Sequence, residues 1–174
     1  MSPRPSRGFP PIATPDARVL ILGSLPGQVS LARRQYYAQP QNAFWRIMGA
    51  LVGAGPDLSY EERALRLQRE RVALWDVCKA ARREGSLDAA IDLASVVSND
   101  FPAFFATHPQ VSRVFTNGGT ATRLYRRLVL PQLPTPWQAL PLQPLPSTSP
   151  AHASMRFEQK LAHWQAVADA LRDQ

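Results

Sequence analysis

Residues 19–45, VLILGSLPGQVSLARRQYYAQPQNAFW, open with four apolar residues, Val19 to Leu22, and then break at once into Gly23-Ser24-Leu25-Pro26-Gly27. An unbroken apolar run of this length between breakers reads as a parallel strand buried on both faces. Open α/β sheets place their ligand sites at the carboxyl ends of such strands. A loop carrying Arg33, Arg34, Tyr36 and Tyr37 is expected next, then a helix from near Asn42 with Phe44, Ile47, Met48, Leu51 and Val52 on one face. That spacing is helical, so the helix packs on the sheet. A polar, aromatic loop held between a buried strand and a packed helix is a rigidly positioned site.

The remaining pattern supplies more strands and helices in alternation. Residues 1–18 hold five prolines and no apolar period, and read as an irregular lead-in wrapped on the surface. Gly53, Gly55 and Pro56 end the first helix. Ser59 to Glu62 forms a capping box for a charged helix reaching about Arg71. Val72 to Val77 is a second buried strand ending in Trp75 and Asp76, before a polar segment from Lys79 to Gly85. Ser86 to Ile91 is either a short helix or a turn. Asn99 or Asp100 caps a helix through Phe101, Phe104 and Phe105. Val111 to Thr116 is the third strand, broken by Asn117-Gly118-Gly119, and a helix with Leu124, Tyr125 and Leu128 inward follows. A fourth strand is expected within Trp137 to Leu142.

Seven of the 17 prolines lie between Pro131 and Pro150, which stiffens the approach to LPSTSPAHA. A closing helix from about Ser154 carries Phe157, Leu161, Trp164, Ala168 and Leu171 as its packing stripe, with His163 exposed. The expected fold is α/β: a three-layer α/β/α sandwich around a mainly parallel four-stranded sheet, with residues 19–174 as one domain.

Composition narrows the function. The chain has 20 basic and 13 acidic residues, a net charge of +7 and a pI near 10.5, which favours a polyanionic partner. All but two of the basic residues are arginine, the exceptions being Lys79 and Lys160, so coding bias is the competing explanation. One cysteine, Cys78, allows no internal disulfide and no multi-cysteine metal site. No apolar run is long enough to cross a bilayer, and no secretory signal opens the chain, so a cytoplasmic protein is expected. The glycines at 23 and 27 have neither the Gly-Lys-Ser/Thr ending of a P-loop nor dinucleotide-fingerprint spacing. No zinc pattern appears, and His108, His152 and His163 fall in different elements, which argues against a hydrolytic triad.

GSLPG after a buried strand, YYAQPQNAFW leading into a helix, ALWDV with GSLD downstream, FTNG ending a strand and LPSTSPAHA before the last helix stand in this order. Together they resemble the uracil-DNA glycosylase superfamily, most closely its family 6, the hypoxanthine-DNA (deoxyinosine) glycosylases. The segment before Phe44 is also similar to the mismatch-specific glycosylases. The resemblance implies a monofunctional base-excision repair enzyme, acting as a monomer on damaged DNA without cofactor or metal. Such an enzyme extrudes the damaged nucleotide because the glycosidic bond is inaccessible in the stack.

It also implies roles for particular residues. The first motif usually carries an Asp or Asn that handles the attacking water; here that position is Leu25, which cannot hydrogen-bond. The family 6 pattern uses instead the asparagine that is Asn42, although an asparagine opening a helix is also a favoured N-cap. Tyr37 matches the aromatic that stacks on the extruded base, with Tyr36 its competitor. Gly23 and Ser24 border the base. Asp76 stands where uracil-specific relatives carry a base-reading asparagine. An ionised carboxylate accepts from N1–H of hypoxanthine but cannot donate to O4 of uracil. Capping, or pairing with an arginine, is the other use open to it. Asn117 is a second pocket-wall candidate or merely a turn residue. Ser147, Thr148, Ser149 and His152 belong to the second motif, which contacts phosphates and wedges into the helix. Leu145 replaces the histidine of uracil-specific relatives. No lysine falls in these motifs, so a Schiff-base lyase step is not expected. The alternatives are a glycosylase for uracil or another damaged base, a non-catalytic DNA-binding module of the same fold, and a small-molecule nucleoside hydrolase, which fits the basic charge poorly.

Overall fold

The structure, a computed structural model, describes residues 4–173; the first three residues of the expected lead-in lie outside them. The chain forms β1 (Ser6–Arg7), β2 (Val19–Gly23), α1 (Gln28–Arg33), α2 (Phe44–Val52), α3 (Tyr60–Arg69), β3 (Val72–Asp76) and β4 (Cys78–Ala81). It continues with β5 (Val97–Ser98), α4 (Phe101–Thr107), β6 (Arg113–Asn117), α5 (Gly119–Leu124), α6 (Thr135–Gln138), β7 (Leu142–Leu145) and α7 (Phe157–Arg172).

The main sheet has the order β3-β2-β6-β7, and every pairing in it is parallel. Successive residues of a strand point to opposite faces, and the core divides accordingly. Leu20, Leu22, Ala73, Trp75 and Val114 pack with Phe101, Phe104, Phe105, Leu124 and Tyr125 on one side. Val19, Ile21, Val72, Leu74 and Phe115 pack with Phe44, Ile47, Met48, Leu67, Trp164 and Val167 on the other. These are the three layers expected, with α4 and α5 on one face and α2, α3 and α7 on the other.

Local chemistry sets the element ends. Gly53 closes α2 at φ 79°, its N–H donating to Gly49 and Met48 carbonyls. The Ser59 hydroxyl accepts from the Glu62 amide, which starts α3, and the Asp100 carboxylate does the same for α4 through Ala103.

Several boundaries differ from expectation. The loop after β2 is not wholly irregular: α1 occupies its first half and stops where Arg34 turns left-handed at φ 54°. α3 ends at Arg69, because Arg71 turns left-handed (φ 64°) to enter β3. The polar segment after Asp76 contains β4, which joins β1 and β5 in a small antiparallel sheet. Ser86 to Ile91 resolves into a 3₁₀ turn over Asp88–Ala90. The fourth strand is β7, later than Trp137 to Leu142. Pro144 suits it because β7 is an edge strand, where a missing N–H costs no ladder bond. The described part of the lead-in is stitched to the domain by β1 and by reciprocal bonds between Ile12 and Leu74, each 2.9 Å. The last helix begins at Phe157, and its inward face centres on Lys160, Trp164, Val167 and Ala170, rotated from the predicted stripe, whose Phe157, Leu161 and Leu171 flank it.

Candidate active site

The carboxyl ends of β2, β3 and β6 and the segment after β7 open onto one cavity of about 640 Å³. It is lined by all ten residues singled out in the sequence: Gly23, Ser24, Tyr37, Asn42, Asp76, Asn117, Ser147, Thr148, Ser149 and His152. A volume of this size suits a small organic group.

Gly23 forms the floor. A Cβ there would stand 2.5 Å from Asp76 Oδ1 and 2.7 Å from the Tyr37 hydroxyl, so only glycine lets these two side chains close over the strand end. Tyr37 is held at φ 52°, a conformation uncommon for a residue with a Cβ. Its ring stacks on Phe44, with centroids 4.1 Å apart and planes at 24°, and its hydroxyl accepts from Asn117 Nδ2 at 3.1 Å. Burial, reinforced by the charge of Asp76, raises the pKa of that phenol, so it stays a neutral donor and acceptor. Tyr36 is used differently: its hydroxyl donates to the Pro10 carbonyl at 2.8 Å and its ring meets Phe9 edge-on.

Asn42 lies two residues before α2, whose N-cap is Ala43. Its Oδ1 accepts from the Phe44 amide at 3.0 Å, and among the described residues its Nδ2 makes no hydrogen bond. The bond fixes the side chain while leaving the NH₂ group and a second Oδ1 lone pair for a ligand or water. Asn42 is therefore not the N-cap weighed from the sequence: Ala43 holds that position, and the Asn42 side chain closes a local turn just before the helix, which is compatible with ligand binding.

Asp76 is only 4% exposed and its Oδ2 is buried without a hydrogen-bond partner. It neither caps the following segment nor joins any of the ion pairs among the described residues, the two alternatives weighed from the sequence. Burial, then repulsion from Asp88, pushes its pKa up to about 7, with Arg83 pulling in the opposite sense. This corrects the expectation of a fixed carboxylate. At neutral pH the group is roughly half protonated, and the acid form can donate as well as accept.

Beside it, Asp88 accepts from the Ser24 hydroxyl at 2.6 Å, and burial raises its pKa too. Arg83, 3% exposed, spends its guanidinium on backbone carbonyls: Leu25 at 3.3 Å, Gly85 at 3.1 Å, and Pro26. It thereby clamps the Gly23–Gly27 turn against the next excursion of the chain. Asp88 and Arg83 were not singled out from the sequence. Asp88 ends the GSLD segment, but nothing local marks a carboxylate as inward, and arginine is normally exposed.

The opposite wall is tied down by Asn117. Its Oδ1 accepts from the Thr148 amide at 3.0 Å and its Nδ2 donates to the Thr148 hydroxyl at 3.0 Å. Asn117 is thus more than a turn residue. Thr148 is 1% exposed with both groups engaged, so it braces the loop; Ser147 and Ser149 remain partly exposed. The His152 Nε2 is buried without a partner. Lys160 reaches the loop from α7, donating to the Ser149 carbonyl at 3.2 Å, but does not line the cavity. Leu25 and Leu145 are both buried in the hydrophobic clusters.

A neutral tyrosine, a fixed asparagine and a buried acid with a raised pKa thus surround one cavity of a three-layer α/β domain. The chain belongs to the uracil DNA glycosylase superfamily, whose family model matches residues 10–172. It is 40% identical over 113 residues to a hypoxanthine DNA glycosylase of Methanosarcina barkeri, covering 64% of this chain and 70% of that one. It is also 40% identical over 116 residues to a hypoxanthine DNA glycosylase of Methanosarcina acetivorans, covering 66% and 72%. Its fold is similar to a solution NMR structure from M. acetivorans described as a candidate uracil DNA glycosylase. The TM-score is 0.79 at 33% identity, over 97% of this chain and 99% of that one.

Proposed function

We propose that this protein is a monofunctional DNA glycosylase that releases hypoxanthine from deoxyinosine, acting as a monomer in the cytoplasm. The observation that carries the reading is the convergence of Asn42, Tyr37, Asp76 and Asn117 on one cavity in a chain whose relatives are named for that activity. In the reaction the C1′–N9 bond breaks with its electron pair leaving on the base, a water oxygen bonds to C1′ and gives up one proton to solvent, and the departing base takes up a proton in turn. Asn42 orients that water. A neutral amide suits the task because the sugar becomes cation-like as the base departs, and the Phe44 amide holds the side chain in place. Tyr37 offers its ring to the base; its hydroxyl stays protonated at all working pH values.

Asp76 reads the lactam edge. Ionised, it accepts from N1–H; protonated, it also donates to O6, which helps a departing base bear negative charge. The same acid form can donate to O4 of uracil, so the raised pKa favours a second, weaker reading in which uracil is released at lower pH. Ser147, Ser149 and His152 lie on the rim, where small donors approach DNA phosphates, with Thr148 bracing them. Among the described residues no lysine lines the cavity, which supports simple hydrolysis without a lyase step.

The test is incubation with end-labelled duplexes carrying one deoxyinosine, one uracil or a normal adenine, followed by alkaline cleavage of any abasic site. Cleavage at deoxyinosine above uracil, with adenine spared, is expected. Intact binding without cleavage of any duplex would mean a non-catalytic DNA-binding module.

A further inference from the structure

Ser24 stands one residue beyond the floor glycine, and its backbone is fixed there. The Val77 amide donates to the Gly23 carbonyl at 2.9 Å and the Cys78 amide to the Ser24 carbonyl at 3.0 Å. Gly23 is in register with Asp76, so Ser24 and Asp76 occupy adjoining strand ends, and both line the cavity.

Other hydroxyls face this cavity. Those of Ser86, Ser147 and Ser149 accept from backbone amides and that of Thr120 accepts from Arg123, which leaves their own hydrogens uncommitted among the described residues. Ser24 is different. Its hydroxyl donates to Asp88 Oδ1 at 2.6 Å, and among the described residues lining the cavity no other hydroxyl donates to a carboxylate. That length is usual for a hydroxyl bonded to an ionised carboxylate. With its hydrogen spent, Ser24 shows the cavity acceptor lone pairs alone.

Asp88 is the member of the acid pair suited to keep its charge. It has the Ser24 hydroxyl and the attraction of Arg83 and Arg123, whereas Asp76 Oδ2 is buried without a partner. A single proton divided between the two acids therefore resides on Asp76. The segment carrying Asp88 is also held in place. An antiparallel bridge joins Arg83 to Ile91 at its base, and Gln28 bonds to Ser86 and Gly85 at 2.9 Å each.

A flipped base is read along its pairing edge. Hypoxanthine shows an acceptor there, O6, beside a donor, N1–H; adenine shows the reverse, an N6 donor beside the N1 lone pair. Because Asp76 Oδ2 is buried, Oδ1 is the oxygen left to face the cavity, and in the acid form it donates to O6. N1–H then needs an acceptor of its own. We infer that Ser24 accepts the N1–H of the extruded base, and that Asp88 is the positioning residue that keeps the Ser24 hydrogen turned away from it. The inference rests on the glycosylase reading above and deepens it. Facing adenine, the same two groups set lone pair against lone pair at N1 and hydrogen against hydrogen at N6, so the normal base is refused. Without the Asp88 carboxylate the Ser24 hydrogen would be free to turn toward N1, and that refusal would weaken.

The experiment measures single-turnover base release from duplexes carrying deoxyinosine or deoxynebularine, whose purine base keeps the N1 lone pair but has neither O6 nor N1–H. The 2′-fluoro forms of both nucleotides, which resist hydrolysis, give a second readout as a ratio of binding affinities. Ser24→Ala is expected to lower the preference for deoxyinosine by about tenfold, the scale of one hydrogen bond. Ser24→Cys, similar in shape but a weak acceptor, is expected to match it. Asp88→Asn is expected to lower the preference in the same direction, because an amide can donate to Ser24 and turn its hydrogen toward the base. Added to Ser24→Ala, Asp88→Asn is expected to change the preference no further, which a general effect of the lost charge would not reproduce. Equal losses on both bases in the Ser24 variants would overturn the inference, as would a wild type with no preference in either readout. So would an Asp88→Asn effect that persists without the Ser24 hydroxyl, which would route it through Asp76. A wild type that releases neither base, yet binds 2′-fluoro-deoxyinosine with a Ser24-dependent preference, would refute the glycosylase reading while leaving the base contact in place.

Discussion

Replacing Asp76 by asparagine gives the most direct physical test of the site's electrostatics. The carboxyl group is buried, makes no hydrogen bond through Oδ2, and has its pKa raised from 3.8 to about 7 by burial and by Asp88. Between those two values the unfolded chain gives up this proton while the folded protein keeps it. The native state then binds more protons than the unfolded one, so stability falls as pH rises through this window and levels off above pH 7. Roughly three units at about 1.4 kcal/mol each amount to about 4 kcal/mol, an order-of-magnitude figure. Asparagine is nearly isosteric with the protonated acid and does not ionise. The stability difference between Asp76→Asn and wild type should therefore grow in the variant's favour by a few kcal/mol between pH 4 and pH 8. In a domain of this size that corresponds to about 10 °C in Tm. The contribution of Asp88 is present in both proteins and largely cancels. Thermal and urea melts by circular dichroism at several pH values would read the difference. A pH-independent difference, or one that turns against the variant as pH rises, would refute the electrostatic reasoning.

Other outcomes follow from the same geometry. Gly23→Ala should fold, since no left-handed φ is required there, but lose most base release, because its Cβ meets Asp76 and Tyr37 at 2.5 and 2.7 Å; steady-state kinetics beside a melting curve would check both parts. Asn117→Ala removes three hydrogen bonds and leaves the buried Thr148 hydroxyl and amide unpaired, so it should cost about 2–4 kcal/mol in urea unfolding. The ratio of uracil to hypoxanthine release should be higher at pH 6 than at pH 8, because only protonated Asp76 donates to O4; a ratio flat across that range would remove Asp76 from base reading.

Much of this was legible in the chain because the informative signals were local. Val19 to Leu22 and Val72 to Val77 are apolar runs between breakers, and in the fold they are the two buried strands whose ends carry Gly23 and Asp76. Asn42 and Asn117 stood out as polar residues where a strand or helix begins or ends. What was hidden depends on contacts far apart in sequence. β4 is a short strand that pairs, among the described residues, with a two-residue segment near the N-terminus and another near residue 97, so no local period marks it. Arg83 is buried only because three backbone carbonyls converge on it. The inward face of α7 centres on Lys160, whose ammonium reaches the Ser149 carbonyl; a hydrophobic stripe drawn on apolar residues alone misses that rotation. The acid form of Asp76 was equally invisible, since a raised pKa is a property of its surroundings.

In the proposed mechanism Asn42 orients the hydrolytic water without being needed to hold the DNA. Single-turnover release of hypoxanthine from a deoxyinosine duplex by wild type and Asn42→Ala, with binding to the same duplex measured in parallel, addresses it directly. Loss of release with binding nearly unchanged, and at most a stability loss of about 1 kcal/mol for the one hydrogen bond removed, is the predicted result. Release by Asn42→Ala at the wild-type rate would contradict the account.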